Sequence, residues 1–92
     1  MTTIIHELAQ LIETRKATRP EGSYTVKLLD NENKAAQKVG EEGVEVVIAA
    51  LNQSKERLVE ESADLIYHLL VLLASKDVTL AEVEAELEKR RN

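Results

Sequence analysis

Between Leu65 and Ala74 the chain reads LIYHLLVLLA, and this run restricts the possible folds more than any other part of the 92 residues. It is about half the length needed to cross a bilayer, and it carries His68, so a membrane span is not expected. Read as a helix, it places Leu65, Ile66, Leu69, Leu70, Val71, Leu72 and Leu73 around most of its circumference. A helix apolar on nearly all sides needs neighbours on several sides. The rest of the sequence says what those neighbours are made of. Aromatic residues are 2%, Tyr24 and Tyr67, so the core must be built from Leu, Ile, Val and Ala. Aromatic strand runs and Asn-Gly hairpin turns are missing. The expectation is an all-α helical bundle, one domain over residues 1–92.

Helical periodicity with plausible caps divides the chain into four main helices. The first runs from about Thr3 to Ala17, with Thr3 as N-cap, and Pro20 lies in the break that follows. Tyr24 to Leu29 reads as a short helical turn, and Asp30 to Asn33 as the start of a second long helix ending near Leu51. Ser54 caps a third helix, which reaches about Ser75. Thr79 and Glu82 have the spacing of a capping box for a last helix ending near Arg91. The first and last helices are short and can cover only part of the third. A homodimer is therefore expected, with higher oligomers left open, in which the second and third helices of both chains form a shared dimeric core.

Charge and cysteine usage narrow the chemistry. A formal net charge of −5 argues against nucleic-acid backbone binding as the main activity. With no cysteine, disulfides and thiolate metal sites are excluded, and a reducing compartment fits. The first helix carries His6, Glu7 and Gln10 among its apolar residues, so no secretory segment is read there, and a cytoplasmic location is expected.

Two acidic pairs border the apolar faces. Glu42 and Glu45 are three apart on the second helix, so they project together, beside an expected packing face of Val39, Gly43, Val46, Val47 and Ala50. Glu61 and Asp64 repeat the device on the third helix, with Arg57 and His68 on the same stripe. If the two helices form an antiparallel hairpin, four carboxylates converge. Their repulsion raises some pKa values unless a divalent cation intervenes. All-oxygen ligation points to Mg²⁺, with Mn²⁺ as the alternative, rather than zinc. A di-iron bundle would need Glu-x-x-His pairs, and His68 follows Asp64 by four residues. Other readings stand beside these. The acids can form solvated faces, Lys38 can merely pair with Glu42, and His68 and Tyr67 can be packing residues. Glu41 and Glu60 point away from their pairs. Gly40 and Gly43 lower helix propensity, which close approach of another helix would offset.

The segments GSYTVKLL, KVGEEGVEVVIAA and ADLIYHLLVLLA, in this order, resemble the phosphoribosyl-ATP pyrophosphohydrolases of histidine biosynthesis, within the all-α MazG-like nucleotide pyrophosphohydrolases. The resemblance covers about Gly22 to Leu87. The EExxE…ExxD motif alone specifies the superfamily, and the three blocks together specify the narrower family. Gly43 departs from the Ala or Thr expected there, which touches packing and not the acids. The resemblance implies a homodimer and Mg²⁺-dependent hydrolysis of the α–β phosphate bond of phosphoribosyl-ATP. The products would be phosphoribosyl-AMP and pyrophosphate. Its metal positions fall on Glu42, Glu45, Glu61 and Asp64, with Glu41 as the fifth acid of the motif. Lys27, Lys38, Arg57 and His68 are candidates for substrate contact, and Ser23, Tyr24 and Thr25 for closing the pocket. A nucleotide house-cleaning enzyme and a non-enzymatic dimerisation module are the competing functions.

Overall fold

The computed structural model describes residues 2–91. Five helices are found among them, with no strand: α1 (Ile4–Thr18), α2 (Tyr24–Leu29), α3 (Glu32–Asn52), α4 (Lys55–Ser75) and α5 (Leu80–Lys89). The all-α bundle is thus as the sequence implies. One boundary differs. Asp30 ends α2 and the Asn31 side chain caps α3 by accepting from the Lys34 amide, so the short turn is a helix of its own. Ser23 caps that six-residue helix by accepting from the Val26 amide. A side-chain cap of this kind contributes about 1 kcal/mol.

The frame is the α3–α4 hairpin, which contains the most extensive helix–helix contact in the molecule. Gln53 and Ser54 turn the chain between them, and the Ser54 side chain accepts from the Arg57 amide to start α4. The hydrophobic core sits to one side of this hairpin. Ile12 from α1, Leu28 from α2, and Leu70, Val71 and Ala74 from α4 are buried together, with Leu8, Ala9, Leu29, Tyr67 and Leu80 packed around them. One side of the C-terminal half of α4 is therefore enclosed, while Ile66 and Leu69 on its apolar circumference remain exposed.

At the end of α4 the chain turns through Asp77, whose φ of +58° lies in the left-handed region. The Lys16 ammonium secures this corner, donating to the Ala74 carbonyl at 2.8 Å and to Asp77 Oδ1 at 2.5 Å. The Thr79–Glu82 capping box forms with both of its hydrogen bonds and opens α5. No residue of α5 is buried. It is tied back by an imidazole–carboxylate contact of 2.9 Å between His6 and Glu84. Its C-terminal charges are laced by the pairs Arg90–Glu86 and Arg91–Glu88.

The packing face of α3 differs from the expected one. Its buried and half-buried residues are Ala35, Lys38, Val39, Glu42, Gly43, Val46 and Ala49, while Val47 is 57% exposed and Ala50 is also exposed. The seam against α4 is rotated toward the acids, so Glu42 lies in it rather than beside it. A second apolar stripe is left facing outward. At about 100° per residue, Val44, Val47, Ile48 and Leu51 lie roughly opposite the seam, and all four are exposed. The expected close approach at the helical glycines is absent within the chain: a Cβ added at Gly40 or Gly43 would meet nothing within 4 Å.

Candidate metal and substrate site

The hairpin brings acids from its two helices together. Glu42 of α3 and Glu61 and Asp64 of α4 each offer a carboxylate oxygen, and these oxygens lie within 4.8 Å of one another. Glu61 is 6% exposed, unusual for a carboxylate, while Glu42 is half-buried and Asp64 is exposed. The site therefore grades from a buried floor at Glu61 to an open mouth at Asp64. Burial pushes the Glu61 carboxyl above its ordinary pKa. Arg57 opposes this, and the charges of Glu42, Glu45 and Asp64 reinforce it. A buried charge facing three like charges is unfavourable unless a cation is supplied.

One cation is already there. The Arg57 guanidinium donates to Glu61 and, at 2.7 Å, to Glu60, and these acids keep it firmly charged. Arg57 neutralises one side of Glu61 and leaves the convergent oxygens of Glu42 and Asp64 facing one another. On α3, Lys38 lies 3.5 Å from Glu42 and 3.8 Å from Glu41. Partial burial works against its charge, but Tyr24, Glu42 and Glu41 outweigh that effect, and its pKa lies above the usual lysine value.

The remaining expected residues occupy distinct places. Glu45 is exposed and outside the group of three, yet near enough for its charge to act on Glu61 and Arg57. It lies about 60° around α3 from Glu42, at the rim. Glu41 is also exposed and accepts a 3.2 Å hydrogen bond from Gln37. Ser23 caps α2, and Lys27 is exposed in its last turn. The Tyr24 hydroxyl lies 3.3 Å from His68 Nε2, and Thr25 shares a 2.5 Å hydroxyl–hydroxyl hydrogen bond with Tyr67. His68 is buried, and its Nδ1 donates to the Asp64 carbonyl at 2.7 Å. Sequence reasoning treated Tyr67 as packing alone. Its position three residues after Asp64 and next to His68 was the available signal.

The donor set fits a hard divalent cation: carboxylate oxygens, no sulfur, and a buried acid whose neighbours oppose its ionisation. Fold and site together define a class, the helical-bundle proteins that place an acidic, all-oxygen pocket between facing helices. Comparison with known proteins then narrows it. A family model described as phosphoribosyl-ATP pyrophosphohydrolase matches residues 5–91. The chain is 52% identical to a phosphoribosyl-ATP pyrophosphatase from Metallosphaera sedula, over 98% of each chain. It is 51% identical to one from Cereibacter sphaeroides, covering 96% of this chain and 86% of that one. A phosphoribosyl-ATP pyrophosphatase 1 from Bradyrhizobium diazoefficiens is 53% identical over 94% of this chain and 82% of its own. The chain belongs to the phosphoribosyl-ATP pyrophosphohydrolase family, and it is a hydrolase of histidine biosynthesis.

Proposed function

We propose that this protein hydrolyses phosphoribosyl-ATP between its α- and β-phosphates in a Mg²⁺-dependent reaction, yielding phosphoribosyl-AMP and pyrophosphate. This is the second step of histidine biosynthesis. The observation that carries the site assignment is the convergence of Glu42, Glu61 and Asp64. Those three, with Glu45 at the rim, would hold the metal. Bound there, Mg²⁺ or Mn²⁺ would supply Lewis-acid stabilisation of phosphate oxygens, activation of water and neutralisation of the leaving pyrophosphate.

The chain's own residues do the rest. Lys38, and Arg57 on the opposite helix, flank the acids and supply positive charge toward a polyphosphate. Lys27 and the Ser23–Thr25 segment at the start of α2 would approach the substrate from the side. Whichever of Glu41 and Glu45 keeps a carboxylate oxygen free of the metal would take a proton from attacking water. The pocket belongs to a single domain, and because its substrate is a charged small nucleotide, we place the protein in the cytoplasm.

We further infer a homodimer. The opposite stripe of α3 is exposed at Val44, Val47, Ile48 and Leu51, and Val59 and Ile66 of α4 are exposed as well. Ile4, Ile5 and Leu8 of α1 line an apolar groove of about 280 Å³ with Ala63 and Ile66. Exposed aliphatic surface on this scale supports an interface.

Thermal unfolding with and without metal tests the site. Millimolar Mg²⁺ or Mn²⁺ should raise the melting temperature, because a ligand bound by the folded state stabilises it. No shift at that concentration would overturn the metal assignment. Pyrophosphate release should be fastest from phosphoribosyl-ATP when it is compared with ATP, dATP and dUTP. Preference for the plain nucleotides would favour a house-cleaning role.

A further inference from the structure

The short helix α2 cannot hold itself in place. Six residues are far below the length at which a helix persists in water, so its position depends on tertiary anchors. Its C-terminal end is held by Leu28, buried in the core beside Ile12 and Val71, by Leu29 packed against that core, and by the Arg19 guanidinium at the end of α1, which donates to Asp30. Two polar anchors at its N-terminal end lead to α4, beside the acids. Thr25 bonds the Tyr67 hydroxyl at 2.5 Å. The Tyr24 hydroxyl reaches His68 Nε2 at 3.3 Å, and His68 Nδ1 donates to the backbone carbonyl of Asp64 at 2.7 Å. A carbonyl can only accept, so in the neutral ring Nδ1 carries the proton and the tyrosine donates to Nε2. The imidazole stands edge-on to both tyrosines, with ring centroids 6.1 Å and 5.0 Å away. The Tyr24 hydroxyl is thus tied through His68 to the backbone of the acid-bearing helix α4.

Packing does not require these polar atoms. A phenylalanine at position 67 would bury the same ring, and an aliphatic residue at 68 would avoid the cost of burying an imidazole. What the hydroxyl and the two ring nitrogens add is a fixed orientation of α2 relative to Asp64. We propose that Tyr67 and His68 are positioning residues for the reaction, holding α2 on α4 so that Tyr24 and Lys27 are set for substrate before it arrives. This rests on the reading of the site as the phosphoribosyl-ATP pocket. Pre-ordering of this kind shows up in substrate affinity more than in the chemical step.

The test is Tyr67→Phe in the intact protein, with Thr25→Val, the double variant, and Thr25→Ser as the conservative replacement. Loss of one such hydrogen bond should raise KM for phosphoribosyl-ATP roughly 5–10-fold, with kcat within about twofold of wild type. Thr25→Val should match it, the double variant should be no worse than either single one, and Thr25→Ser should restore wild-type KM. His68→Asn, which retains a donor toward the Asp64 carbonyl but loses Nε2, should raise KM in the same way. Amide exchange should quicken in α2 and not in α3, and Mn²⁺ affinity should stay unchanged. Unchanged KM and unchanged α2 exchange in Tyr67→Phe would overturn the proposal. So would a joint collapse of kcat, Mn²⁺ binding and melting temperature, which would mark a general structural role. If the wild-type protein does not turn over phosphoribosyl-ATP, the substrate assignment fails instead. The exchange of α2 in the same variants then still decides whether Tyr67 anchors it.

Discussion

Glu61 sets the character of the site at the scale of single residues. Its burial is tolerable because Arg57 covers one side, while the oxygens of Glu42 and Asp64 face it from the other. Removing one of those facing charges should relieve repulsion in the metal-free protein and weaken cation binding. Glu42→Gln and Asp64→Asn are therefore expected to abolish turnover while circular dichroism and size-exclusion profiles stay those of the wild type. Full activity in either variant would place the metal elsewhere. A second residue-scale prediction concerns Lys16 and Asp77. The hydrogen bond from Lys16 holds the Asp77 carboxyl below its ordinary value of 3.8, and the same bond lifts Lys16 above 10.5. A depressed carboxylate contributes stability above pH 3.8 that is lost as pH falls through the lower folded value. The raised lysine contributes below pH 10.5 and is lost as pH rises past its folded value. Asp77→Asn should remove both contributions, so the variant's stability deficit should be largest between those limits. Denaturant melts across pH would show it.

At the scale of elements, α3 has two duties. One face carries Lys38, Glu42 and Ala49 into the seam with α4, and the other carries an apolar stripe outward. Gly43 has little reason to be glycine within this helix. No atom lies within 4 Å of where a Cβ would be, and the backbone there is ordinary helix. Gly43→Ala should therefore stabilise the protein by about 0.5–1 kcal/mol through helix propensity alone. Chemical denaturation measures this directly, and a destabilised variant would mean that a partner helix packs closely at that point. The α4–α5 corner shows the complementary case. There the left-handed backbone at Asp77 is held by side-chain bonds to a different helix, α1.

The whole molecule is an open arrangement whose enclosed core lies to one side of the α3–α4 hairpin. Among the described residues no helix is long and apolar enough to cross a membrane. The exposed aliphatic surface is instead concentrated on the outer faces of α3, α4 and α1. Placing a charge in the middle of the stripe should prevent association without touching the seam. Val47→Asp is expected to run as a monomer in size-exclusion chromatography with light scattering, where the wild-type protein is expected to run as a dimer. A wild-type protein that is monomeric at micromolar concentration would leave the stripe unexplained.

How much of this was legible beforehand depends on how local the cause is. The four main helices, the Thr3 and Ser54 caps and the Thr79–Glu82 box follow from side chains acting on backbone amides three residues away, so the sequence by itself determined them, whereas the Ser23 and Asn31 caps that separate α2 from α3 were not read from it. The three acids could likewise be picked out, because i,i+3 spacing puts Glu61 and Asp64 on one stripe of α4, and Glu42 borders the apolar face of α3. The rotation of the α3 seam was not legible. That helix has two apolar stripes roughly opposite one another, and periodicity cannot say which of them meets α4. Nor could spacing show that Glu42 joins Glu61 and Asp64 while Glu45 stands at the rim, or that Tyr67 grips Thr25 across 42 positions of chain. Those outcomes depend on the rotation and register of one helix against another. Side chains from every contacting element set them together, so only the tertiary structure decided them.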